Sequence, residues 1–125
     1  MIDSLPPTAT TSPTDILFSD DVAIAFHPGA APDVWWATMH VGSTPIEIGS
    51  VHGAHDLDDV LRMAAGVLVE RSRWADLVYV GTSGQRWVLI GCWVLNARMM
   101  GGHRHFMTPE KARAEFSVIA REGRA

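Results

Sequence analysis

Nine consecutive residues, Trp87 to Leu95, include no charged, hydroxyl, amide or imidazole side chain, and this run constrains the fold more than any other feature of the chain. A membrane-spanning helix needs about 18 or more apolar residues, so the run is too short to cross a bilayer and has the length of a strand. A strand with one wet face shows polar residues at every second position. Here Trp87, Leu89, Gly91, Trp93 and Leu95 would project one way and Val88, Ile90, Cys92 and Val94 the other, and both sets are apolar. That pattern predicts a strand near the middle of a sheet covered on both faces, with Gly91 leaving room for a ring or a closely approaching helix and Cys92 acting as core packing.

The covering elements are helices. Leu57 to Arg73 reads as one, with Asp56 as N-cap, Asp58 and Asp59 in the first turn and Arg71 and Arg73 in the last, as the helix dipole favours. Leu57, Val60, Leu61, Ala64 and Leu68 form its apolar stripe, and Met63, Ala65, Val67 and Val69 widen it around much of the circumference. Such a helix lies across a sheet beneath another element, or else part of it faces a second subunit through Met63 or Val67. Thr108-Pro109 opens a final helix as N-cap and first residue, Ala112, Phe116, Ile119 and Ala120 give its buried stripe, and Gly123 closes it.

Alternation elsewhere predicts strands. Ile16 to Phe26 is a strand or a bent pair broken at Ser19-Asp20-Asp21, Val34 to Val41 a second strand, and Ile46 to Ile48 a short third. Leu77 to Gly81 forms a hairpin with the Trp87 run through Thr82 to Gln85. The order βββαββα predicts an α+β fold: an antiparallel sheet of about five strands with two helices packed on it. Residues 1–15, rich in Pro, Thr and Ser, read as a tail, and 16–125 as a single domain, which suits a chain of 125 residues that is 47% hydrophobic.

Met1 to Pro7 contains no Lys or Arg and no apolar stretch of signal-peptide type, and Cys92, the single cysteine, can form no internal disulfide, so the expected location is cytoplasmic. Charge is unevenly distributed. Residues 1–61 hold nine acids and no Lys or Arg, whereas all ten basic residues and five acids follow, giving −9 and +5 within a net −4. Unless folding interleaves the halves, oppositely signed surfaces result.

Motif searches exclude much of the usual chemistry. There is no phosphate-binding G-x-x-x-x-G-K-[ST], no G-x-G-x-x-G, no H-E-x-x-H, no C-x-x-C, and Gly81-Thr82-Ser83-Gly84 lacks nucleophile-elbow spacing. The remaining chemical lead is His52-x-x-His55-Asp56 and His103-x-His105, two loops whose imidazoles could converge on a metal. Each has a simpler reading: exposed loop histidines, with Asp56 serving the helix start. His40 reads as a partly buried strand residue. The adjacent Trp35 and Trp36 point to opposite faces, so one of them marks a surface unless both faces are covered. A sequence pI of about 5.8 argues against nucleic-acid binding despite Arg98, Arg104, Lys111, Arg113, Arg121 and Arg124.

The reading that absorbs these features is a non-catalytic protein-binding protein, an inhibitor, immunity-type or chaperone-like adaptor, with no cofactor, no metal and no catalytic residue assigned. Its expected partner is a basic protein, met by Asp20, Asp21, Asp56, Asp58, Asp59 and Trp35, and a homo-oligomer is expected alongside. The alternative is a small enzyme or metal-binding protein using His52, His55, His103 and His105.

Overall fold

The computed structural model describes residues 13–31, 33–52, 56–98 and 102–123, with Asp56 described in its backbone alone. The expected tail falls mostly on residues 1–12, outside the described residues. The class is the expected α+β, but the strands form two sheets. β1 (Ile16–Ser19), β2 (Val22–Pro28), β3 (Trp35–Val41) and β4 (Thr44–Val51) make one antiparallel sheet in chain order, followed by α1 (Asp56–Glu70). β5 (Leu77–Val80), β6 (Arg86–Ile90), β7 (Trp93–Asn96) and β8 (Arg104–His105) make a second, followed by α2 (Pro109–Glu122).

Tight turns account for the extra strands. Ser19 pairs with Val22, Val41 with Thr44 and Ile90 with Trp93, so each connection has two central residues. Gly42 (φ +62°) and Gly91 (φ +57°) hold the first central position of the latter two, and among the described residues no non-glycine has positive φ, the pattern of hairpin turns that match strand twist. The Trp87–Leu95 run is therefore a hairpin rather than one strand. The reversal resets its alternation: Val88 and Ile90 share a face with their partners Leu95 and Trp93, while Leu89 and Val94 share the other. Both faces are buried as expected, but Cys92 is corrected from core strand to half-buried hairpin tip, its carbonyl accepting the Phe106 N–H at 2.8 Å. Gly91 also lies against the Phe18 carbonyl, where any side chain would collide, and its N–H donates to Asp76 Oδ2 at 2.8 Å.

β4 runs on to Val51, beyond the short strand expected at Ile46–Ile48, because a bulge absorbs Gly49. Ala37 pairs with Gly49 and Thr38 with Glu47, which skips Ile48 and keeps Ile48 and Val51 buried.

α1 packs against β4 of the first sheet and β6 and β7 of the second. Its Val60, Leu61, Ala64, Ala65 and Leu68 join Ile24, Met39 and Val41 of the first sheet and Val88, Ile90 and Leu95 of the second in one core. Two sheets thus bury most of the broad apolar surface of α1, while Met63 stays exposed. The helix ends at Glu70 with no base in its last turn, and Arg71 and Arg73 fall in the segment leading through a 3-10 turn, Ser72–Trp74. Asp56 is its first helical residue, and the side chain on which the cap expected there depends lies outside what the structure describes. α2 covers the far face of the second sheet, where Tyr79, Leu89, Val94, Ala112 and Phe116 form a second cluster. Thr108 caps it, Oγ1 accepting the Lys111 N–H at 3.2 Å, with Pro109 first in the helix. Gly123 follows α2 in right-handed conformation (φ −68°), and the space a side chain would need is filled by Tyr79.

Candidate protein-interaction surface

The second sheet is covered on both faces, whereas among the described residues nothing covers the outer face of the first. Strand register builds that face in three rows. Leu17, Ala23, His40 and Pro45 lie side by side across β1 to β4, then Ala25, Thr38 and Glu47, then His27, Trp36 and Ser50. Leu17 and Trp36 are exposed at 69% and 41%, large values for apolar side chains of this size. The centre is built from small residues, Ala23, Ala25 and Thr38, so the Trp36 ring and Leu17 stand proud of a shallow floor.

Carboxylates surround this floor. Asp20 and Asp21 occupy the β1–β2 turn at one end, Asp15 and Asp33 flank the strands at the other, and Glu47 stands on the edge strand; all five are exposed. Asp15 is also fixed in place, its Oδ1 accepting the Phe26 N–H at 3.0 Å. Residues 15–51 contain no Lys or Arg. The second sheet and α2 carry Arg86, Arg98, Arg104, Lys111, Arg113 and Arg121 against four acids between residues 76 and 123. The strands of the two halves of the chain occupy separate sheets.

The structure divides the residues expected to bind a partner. The Asp21 carbonyl accepts the Gly42 N–H at 2.7 Å, and Gly42 packs against Trp74, just past the C-terminal end of α1. Asp56, Asp58 and Asp59 begin the same helix, whose 15 residues separate the two acidic groups. At 1.5 Å per residue that is roughly 20 Å, so the five aspartates do not make one surface. Asp58 and Asp59 are also engaged locally: Asp58 Oδ1 lies 2.8 Å from His103 Nδ1, and Asp59 Oδ1 lies 2.6 Å from the Arg62 guanidinium. The tryptophan assignment is reversed. Trp35 pairs with Pro28 and Val51 and packs on the core with Nε1 buried, so Trp36 is the outward residue. His40 is likewise exposed on the outer face and not partly buried.

Of the histidines, His103 and His105 from β8 and its approach both reach Trp93, with ring centroids 6.3 and 4.4 Å from the indole. His103 Nδ1 faces Asp58, which leaves Nε2 as the second ring nitrogen of a carboxylate–imidazole pair. His52 is exposed, and His55 lies outside the described residues. Among the described residues no three His, Cys, Asp or Glu side chains converge in a metal-holding arrangement, and no helix is long and apolar enough to cross a membrane.

No protein-family model, characterised protein or solved structure matches this chain. The functional reading therefore rests on the site alone.

Proposed function

We propose that the protein is a non-catalytic binding module that recognises a basic protein through the outer face of its first sheet, acting as an inhibitor, immunity-type or chaperone-like adaptor in the cytoplasm. The observation that carries this reading is Trp36, exposed at 41% on an uncovered sheet face whose strands and their flanking turns, residues 15–51, hold five acids and no Lys or Arg. An exposed aromatic on a small-residue floor is the anchor that protein interfaces concentrate their energy in, and a charged rim adds association rate and selectivity. Like charge on the rim repels phosphate backbones, which favours a protein partner over nucleic acid. A homo-oligomer accompanies this reading without sharing its surface. The second reading, a small enzyme or metal-binding protein, has the Asp58–His103 pair in its favour.

The charge on the rim is tested with Asp20→Asn, Asp21→Asn and Glu47→Gln combined, after circular dichroism shows the fold intact. Association with the protein retained from the native host, followed across a salt series, should slow by about tenfold at low salt and lose most of its salt dependence. An unchanged rate and salt slope would remove the electrostatic part of the proposal.

A further inference from the structure

Among the described residues each of the two sheets has two open edges, and three of the four carry a device that blocks strand addition. β1 is irregular in register between Leu17 and Ser19. β4 contains Pro45 and a bulge at Gly49, and β8 is two residues long with Arg104 exposed. Proline, bulges, charge and shortness are the means by which sheet edges avoid pairing with other chains. β5 has none of the first three: Leu77-Val78-Tyr79-Val80 is a regular, uncharged run paired residue for residue with β6, with Leu77 and Val80 exposed at 38% and 56%.

We infer that β5 is the self-association surface of the protein, pairing antiparallel with β5 of a second copy across a two-fold axis to give a continuous eight-stranded sheet. The occupant is argued from charge as well as from the open edge. Asp76 precedes the strand at one end, and Arg86, exposed and paired with Val80, stands at the other. Antiparallel pairing brings the Asp76 end of each copy to the Arg86 end of its partner, whereas parallel pairing would stack like charge on like. α1 and α2 cover β6 and β7 from either side and leave Leu77 and Val80 exposed at the β5 edge, so the junction is made by main-chain hydrogen bonds and these two side chains.

Sedimentation velocity on the full chain tests this. The wild type should be dimeric at about 100 µM and dissociate on dilution. Val80→Lys and Leu77→Lys, each placing a charge on an exposed position of the pairing strand, should each weaken the dimer by at least about tenfold. Hydrogen exchange on the wild type supplies a readout that needs no variant: protection of the β5 amides should rise with protein concentration while that of β1 does not. A monomer at about 100 µM, a dimer that both lysine variants leave intact, or β5 exchange independent of concentration would overturn the inference. None of these outcomes bears on recognition through Trp36, which lies on the other sheet.

Discussion

Gly91→Ala is expected to lower the unfolding free energy by roughly 2 to 5 kcal/mol, the sum of about 1 to 2 for a left-handed alanine and about 1 to 3 for overpacking. Gly91 has φ +57° at the tip of the β6–β7 hairpin, and an added Cβ would run into the backbone carbonyl of Phe18 on β1. A carbonyl cannot rotate away as a flexible side chain can, so relief requires shifting β1 or opening the hairpin. The same tip is held from the other side by Asp76, and the neighbouring Trp93 ring stacks edge-on to Phe18 at 5.7 Å, so any shift spreads into the contact between the sheets. Gly66→Ala is the matched control. Gly66 lies within α1 with open space where a Cβ would go, and alanine there should stabilise by up to about 1 kcal/mol through helix propensity. Equal effects of the two substitutions would contradict the hairpin placed at Gly91.

Leu68→Ala should cost about 3 to 5 kcal/mol, the upper part of the range for large-to-small changes in cores. Leu68 is fully buried in the cluster that joins α1 to both sheets. Because two hydrogen-bonded ladders bound the site, the walls cannot collapse into the cavity as a loop or a lone helix would. Met63→Ala, on the same helix but 40% exposed, should stay within about 1 kcal/mol. Urea unfolding decides it, by a fall in the midpoint at unchanged slope for Leu68→Ala alone. A loss below about 1 kcal/mol for Leu68→Ala would show that α1 is not enclosed between sheets.

These two sites also mark where the sequence was readable and where it was not. The apolar breadth of α1 correctly demanded cover on more than one side, because burial follows from side-chain type at helical spacing. What could not be read was the source of the cover, since a second sheet and a second subunit present the same apolar surface. The Trp87 run shows its two buried faces in the sequence, yet Gly91 there reads as space for a neighbour within a strand. Gly-Cys between apolar residues is a weak turn signal, and only pairing of Ile90 with Trp93 shows the reversal. The short strand expected at Ile46–Ile48 errs in the opposite direction, as a bulge lets β4 continue through Gly49, a residue type that weakens strands.

The candidate surface was partly within reach. Trp35, Ala37, Met39 and Val41 are all apolar while Trp36 alternates with Thr38 and His40, which already places Trp36 on the wet face. The aspartate groups were not resolvable in this way. Their separation depends on α1 running from the Trp35–Val51 end of the first sheet toward Gly42, a property of tertiary packing rather than of local pattern. The pairing of Asp58 with His103 joins residues 45 positions apart and has no local signature at all.

The most direct test of the account is the affinity of the partner retained from the native host for the wild type and for Trp36→Ala. Trp36 is exposed and its truncation opens no core cavity, so the variant should keep its fold and thermal midpoint. If the outer face of the first sheet is the recognition surface, Trp36→Ala should raise Kd by about 30-fold or more, the 2 kcal/mol of a central aromatic anchor, while Arg113→Ala on the exposed side of α2 leaves it unchanged. An unchanged Kd for Trp36→Ala in a folded protein would contradict the account.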